Sequence, residues 1–231
     1  MTMNKLKIKI NKLYYYIFGE KFFKKINFEW HKYPSRHNVI QDTIFRKNYK
    51  SYLEIGCFDD EVFSKIEIES KVGVDPEKGG TIRDTSDNFF KFNKTKFDII
   101  FIDGLHHYDQ VKKDIDNSLL FLNDNGVIFL HDCMPESCIR QTVPRCSRVW
   151  NGDVWKTIVY IRKNHPELSA FVLNTDHGLG FVFKKPQGQL PEIFNTIDSI
   201  DTLDYEFLAK HREDLLDLKP VSYFDSFLKM L

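Results

Sequence analysis

Residues Phe97–Cys133 read FDIIFIDGLHHYDQVKKDIDNSLLFLNDNGVIFLHDC, and the succession of patterns within them decides the fold. Phe97–Ile102 is a short β-branched and aromatic run, the composition of a strand buried on both faces. Asp103-Gly104 stops it. From Tyr108 the period becomes helical: Val111, Ile115, Leu119 and Leu122 recur every three to four residues, while Lys112, Lys113, Asp114 and Asp116 point away from them. Asn123–Gly126 ends that helix, and Val127–Leu130 forms a second apolar strand closed by His131-Asp132. The unit is βαβ. Its crossover helix brings the carboxyl ends of two parallel strands to one edge, so Asp103, His106 and His107 are expected to face His131 and Asp132 across a crevice. Open α/β sheets bind ligands at that edge.

Upstream, Ser51–Ile55 and Lys71–Val74 read as two further strands, the first ending in Glu54-Ile55-Gly56-Cys57-Phe58-Asp59-Asp60 and the second in Asp75-Pro76. The spacing from Gly56 to Asp75 is close to that at which an acidic side chain reaches a nucleoside's ribose hydroxyls, and Gly56 lets backbone pass close to a ligand. Val39–Phe45 and the stretch around Val62, Phe63 and Ile66 predict helices. Ser86 or Asp87 is expected to cap a short helix before Phe89-Phe90, with contact between this loop and a bound base as the other reading.

Beyond Asp132, Cys133–Trp155 has no clear period and is rich in Pro, Cys, Arg and Trp. It is expected to lie over the crevice as a lid, offering Arg140, Arg145, Arg148, Trp150 and Trp155 to an anionic or sugar-like substrate. Trp155–Lys163 reads as a helix. Leu168–Asn174 and Leu179–Lys184, joined by Thr175-Asp176-His177-Gly178, read as a β-hairpin, and Ile193–Leu231 as helical.

A chain of 231 residues, 42% hydrophobic and 15% aromatic, suits one α/β domain with extensions. The expected organisation is a basic amphipathic arm (1–35), the catalytic-type domain (36–190, with the lid at 133–155) and a helical extension (191–231). Formal charge sums to zero, yet residues 1–50 hold 12 Lys and Arg against 3 Asp and Glu. In the arm, Leu6, Ile10, Leu13 and Ile17 share one helical face beside Lys5, Lys9 and Lys12, with Phe22, Phe23 and Ile26 following Gly19. An anionic membrane or acidic partner would suit such a helix, as would packing on its own domain or on a second subunit in a homo-oligomer; the adjacent Tyr14, Tyr15 and Tyr16 favour burial between two surfaces. The four cysteines make no CxxC pair and read as reduced thiols, and no apolar run is long enough to cross a bilayer. A cytoplasmic location is the expectation.

Taken together, FDIIFIDGLHHYDQV, GVIFLHDC, YLEIGCF and VGVDP resemble the class I S-adenosylmethionine-dependent methyltransferases, in particular a bacterial group with FxxIFIDGxHxY on the fourth strand and HD after the fifth. The resemblance spans roughly residues 36–185. It implies a Rossmann-like, doubly wound α/β fold whose seven-stranded sheet is mostly parallel and ends in an antiparallel hairpin of strands six and seven. It further implies that Glu54, Gly56 and Cys57 line the methionine part of S-adenosylmethionine, that Asp75, followed by Pro76, binds the ribose, and that Asp103 lies beneath the sulfonium. The glycine loop departs from the family where Phe58 and Asp59 replace further glycines.

Similarity to metal-dependent sugar and catechol O-methyltransferases implies a divalent cation, Mg²⁺ or another, at Asp103 and Asp132. His131 stands where an acidic ligand is usual, and His106, three residues after Asp103, matches the general base, with His107 beside it. The implied function is O-methylation of a small-molecule or glycan hydroxyl. Absence of an NPPY-like motif and the near-neutral charge weigh against a nucleic-acid substrate. Two alternatives are a cofactor-binding interaction module without turnover and an NAD(P)-dependent dehydrogenase. The second lacks the glycine-rich fingerprint.

Overall fold

The computed structural model describes residues 5–22 and 24–231. Phe23, grouped above with Phe22 and Ile26, lies outside the described residues. The strands are β1 (Ser51–Ile55), β2 (Ser70–Val74), β3 (Phe97–Ile102), β4 (Leu122–Leu130), β5 (Ser169–Leu173) and β6 (Leu179–Phe183). The helices are α1 (Lys5–Phe18), α2 (Arg36–Lys47), α3 (Ser86–Phe92), α4 (Tyr108–Phe121), α5 (Cys138–Gln141), α6 (Trp155–Asn164), α7 (Tyr205–Leu216) and α8 (Phe224–Met230).

The sheet runs β2-β1-β3-β4-β6-β5. Its first three pairings are parallel, and β6 pairs antiparallel with both β4 and β5. β3 is buried on both faces as its composition dictates. Ile100 and Ile102 pack on the side of α3, α4 and α6, and Ile99 and Phe101 on the side of α2 and α8, where Phe171, Phe181, Phe183 and Phe227 form an aromatic layer.

The sheet has six strands among the described residues, not seven. The missing edge strand is reduced to one bridge, Val74 to Ile82. Residues 75–85, DPEKGGTIRDT, hold a single β-branched aliphatic among charges and glycines, too little apolar surface to hold a strand on an exposed edge. The hairpin therefore supplies strands five and six. Around Val62 and Phe63 the chain makes only a 3₁₀ turn, Phe63–Lys65, instead of a helix. The cap of α3 is Thr85, whose side chain accepts from the Asn88 amide, and neither Ser86 nor Asp87 serves. The C-terminal extension alternates short 3₁₀ turns with α7 and α8. Of the three tyrosines in α1 only Tyr15 is partly buried against the rest of this chain. No helix among the described residues is long and apolar enough to cross a membrane.

Candidate active site

A cavity of about 780 Å³ opens at the carboxyl ends of β1, β2, β3 and β4. On one side lies a cradle of backbone. Gly56 follows β1 with φ +90°, and a Cβ there would sit 2.4 Å from Gly104 Cα and 2.5 Å from the Asp103 carbonyl oxygen. Gly56→Ala is therefore expected to destabilise the fold by about 3 kcal/mol, because backbone is what the methyl group meets. Urea denaturation reads the change, and an unaltered midpoint would contradict the close approach.

The loop beyond Gly56 also adopts left-handed conformations at Phe58 (φ 47°) and Asp60 (φ 61°), without the glycines that would make them easy. Hydrogen bonds hold it. Asp75, at the end of β2, accepts from the Phe58 amide through Oδ2 at 2.9 Å and from the Glu77 and Lys78 amides through Oδ1 at 2.7 and 3.0 Å. Asp60 Oδ1 accepts from the Gly80 amide at 2.7 Å. Asp75 thus orders the loop besides facing the cavity, which also touches Pro76 and Ser86. The Cys57 thiol is buried and packs toward Gly73 and Gly80, behind the cradle. Glu54 is buried at the cavity floor, where its carboxylate accepts from the Tyr52 hydroxyl at 2.5 Å, and burial pushes its pKa up to about 8. Asp114 of α4 reaches the cavity near Ser86 and Asp87, hydrogen-bonded by Gln110, and burial raises it to about 6.

On the other side lies a dense ionic cluster. His131 Nδ1 is 3.2 Å from Asp103 Oδ1 and 3.6 Å from Asp132 Oδ2, while its Nε2 is 3.5 Å from Asp176. His106 places Nδ1 3.1 Å from Asp132 Oδ2 and Nε2 3.4 Å from Asp103 Oδ1. Burial alone would disfavour both imidazolium ions, but the facing carboxylates outweigh it and raise both histidines. Burial likewise opposes the Asp103 charge, and His131 and His106 nevertheless hold that carboxyl far below its ordinary value. Asp132 sits at φ 61°, held there as Asn151 Nδ2 donates to its Oδ1 at 2.7 Å.

Asp103, His131 and Asp132 each offer a ligand atom within 4.8 Å of the others. Two carboxylate oxygens and one imidazole nitrogen fit a divalent cation with mixed oxygen and nitrogen preference better than a strictly oxygen-seeking one. His131 is buried, with Nδ1 toward Asp103 and Asp132 and Nε2 toward Asp176 at 3.5 Å.

From residues 133–155, Arg145, Arg148, Val149 and Trp150 reach the cavity wall. Trp150 stacks on His106 with ring centroids 5.2 Å apart, and its carbonyl oxygen lies 3.0 Å from His106 Nδ1. A carbonyl only accepts, so Nδ1 carries the hydrogen and Nε2 is the nitrogen left to take a proton. Two residues proposed for the lid face elsewhere. Trp155 is buried with its indole donating to Gln141, and Arg140 pairs with Glu136 at 2.6 Å. His107 occupies the N-cap position of α4 without a side-chain capping bond, lies outside the cavity lining and meets Trp150 edge-on.

Sequence reasoning missed Arg36, Asp176 and His177. Arg36 opens α2, with Nε 3.6 Å from Asp103 and Nη1 3.2 Å from Asp176, and its backbone amide donates to Asp176 at 2.6 Å. Asp176 and His177 belong to the hairpin loop, both with positive φ, and His177 reaches the cavity. Their only local signals were a helix start and a turn.

At one edge of this Rossmann-like sheet a backbone cradle stands beside an acid–imidazole cluster. Residues 72–133, about a quarter of the chain, match the family described as a methyltransferase domain. This match bears out the resemblance to class I S-adenosylmethionine-dependent methyltransferases.

Among solved structures, the S-adenosylhomocysteine-bound methyltransferase PaMTH1 of Podospora anserina is 18% identical with a TM-score of 0.49, over 80% of this chain and 98% of that one. The O-methyltransferase of Bacillus cereus, in complex with S-adenosylhomocysteine, is 13% identical with a TM-score of 0.47, over 79% and 91%. TomG of Streptomyces achromogenes, an O-methyltransferase of tomaymycin synthesis in complex with S-adenosylmethionine, is 10% identical with a TM-score of 0.47, over 80% and 100%. No curated protein matches by sequence.

Proposed function

We propose that the chain transfers a methyl group from S-adenosylmethionine to a hydroxyl of a small molecule or glycan, with His106 as general base. The observation that carries this reading is the position of His106. It stands between Asp103 and Asp132 in the cavity that also holds the Gly56 and Asp75 cradle.

Gly56 and Asp75 position the nucleoside and methionine parts of the donor, with Glu54 on the cavity floor. The acceptor oxygen attacks the sulfonium methyl in line; the new C–O bond forms as the S–CH₃ bond breaks, and S-adenosylhomocysteine leaves. The hydroxyl proton passes to His106 Nε2. Trp150 stacking and the Nδ1–H hydrogen bond to its carbonyl fix the ring for that transfer, while Asp132 stabilises the imidazolium formed. Asp103, His131 and Asp132 would hold a divalent ion. When bound, such an ion supplies Lewis-acid activation of the acceptor hydroxyl. Arg145 and Arg148 on the lid suit an acceptor bearing anionic or polar groups near the hydroxyl.

Calorimetric titration with S-adenosylhomocysteine, with NAD⁺ as control and with EDTA or Mg²⁺ added, tests the cofactor. Micromolar binding of the first alone supports the reading, and absence of binding in every condition removes it. Once an acceptor is found by screening hydroxyl compounds for S-adenosylhomocysteine release, His106→Ala is expected to lower turnover by about 10²-fold. Because the carboxylates raise His106 above 6.5, the wild-type rate should climb with pH until that imidazole is neutral. A variant that keeps both the rate and the pH profile would dismiss His106 as the base.

A further inference from the structure

We infer that α1 is a peripheral membrane-docking helix that seats the protein on an anionic lipid surface. Among the described residues, the side of the helix that rests on the protein is the one that carries Asn11 and Tyr15. Asn11 donates to the Arg145 carbonyl at 3.0 Å, the Tyr15 hydroxyl meets Cys138 Sγ at 2.7 Å, and Ile8, Asn11 and Tyr15 are its partly buried residues. At 100° per residue the opposite side carries Leu6, Ile10, Leu13 and Ile17, which are 62%, 59%, 64% and 57% exposed. Four aliphatic side chains in one stripe on a surface helix are far from the scattered apolar residues of an ordinary exterior.

Charge identifies the occupant. Lys5, Lys9 and Lys12 flank the stripe on one side and Lys7 on the other, and α1 contains no acidic residue. Tyr14 and Tyr16, also exposed, stand on either side of the stripe, where amphipathic rings suit the headgroup depth. An aliphatic stripe edged by lysines is the arrangement that lies in the plane of an anionic bilayer. A second copy fits less well, since a two-fold contact between α1 helices would set lysines against lysines. The docked side of α1 and the segment after it hold the lid, through Asn11 to Arg145 and through Glu20, which accepts from Gln141 at 2.8 Å. Membrane docking would thus occur beside the segment that walls the cavity.

The test is flotation of the full chain with phosphatidylcholine vesicles, with and without phosphatidylglycerol, at low and at high salt. The protein is expected to float only with the anionic vesicles and to be released by salt. The double variant Leu13→Glu and Ile17→Glu, both residues exposed, should lose at least about tenfold in vesicle binding, with the urea midpoint unchanged. Three results would each overturn the inference: no flotation on anionic vesicles, flotation kept by the double variant, or a dimer in sedimentation equilibrium that the same substitutions dissolve. S-adenosylhomocysteine binding by the same preparations reports separately on the proposed activity.

Discussion

Asp103→Asn is expected to lower methyl transfer by about 10³-fold or more, the largest loss from any single substitution in the site. Asparagine keeps the shape of the side chain but not its charge. Asp103 faces three cationic groups at once: Arg36 at 3.6 Å, His106 at 3.4 Å and His131 at 3.2 Å. Loss of the carboxylate leaves His131, buried and raised by that partner, with weaker compensation from Asp132 and Asp176. The same change removes one of the three side chains proposed to hold a divalent ion.

The pH window of the stability loss follows from the directions of the shifts. Asp103 is held below its ordinary 3.8, so its contribution exists above that value and fades as pH falls through the folded-state pKa. His131 is raised above 6.5, so its contribution is complete below 6.5 and fades as pH climbs through the folded-state pKa. The variant should therefore be most destabilised between about pH 4 and 6.5, by about 3 kcal/mol, the usual result of removing one partner of a buried ion pair. In EDTA-treated protein, the His131 Cε1–H resonance should titrate at lower pH than in the wild type. Turnover within tenfold of wild type, or an unmoved titration, would place the reaction centre elsewhere.

What the sequence made legible, and what it hid, divides along the range of the interactions. The βαβ unit from Phe97 to Cys133 could be read because its signal is local: two apolar runs around one amphipathic period, each strand ending in side chains that the sheet must deliver to a single edge. Asp103, His106, His131 and Asp132 meet there for that reason. Arg36 could not be read, because it joins Asp103 only after α2 packs on the sheet, 67 positions away in the sequence. Asp176 looked like an ordinary turn residue. Its carboxylate enters the site because β6 pairs with β4 and carries the hairpin loop to the same edge. The absent edge strand shows the converse, where the resemblance supplied an element that residues 75–85 lack the apolar surface to form. In α1 the period was legible, yet which face docks depends on Cys138 and Arg145, more than a hundred residues downstream.

Glu54→Gln is expected to stabilise the protein at pH 8 while leaving it nearly unchanged at pH 5. Glu54 is buried on the cavity floor, and burial raises its pKa from 4.5 to about 8. Below about pH 4.5 the carboxyl is protonated in both folded and unfolded chains, and its stabilising effect is complete. As pH rises from 4.5 to 8 the unfolded chain releases the proton that the folded chain keeps, and stability falls throughout that interval. At about 1.4 kcal/mol per pH unit, and with the folded chain itself half ionised at pH 8, the loss amounts to about 4 kcal/mol. Glutamine cannot titrate, and its carbonyl oxygen still accepts from the Tyr52 hydroxyl. The difference between the two proteins should grow to about 10 °C in melting temperature at pH 8. Parallel melting curves at all pH values would refute the assignment of a neutral Glu54. In the proposed function the cationic amino group of the methionine moiety would draw the proton off Glu54 on binding. Glu54→Gln should accordingly bind S-adenosylhomocysteine more weakly, and the proton release that accompanies wild-type binding near pH 7 should disappear from calorimetry repeated in buffers of different ionisation heat.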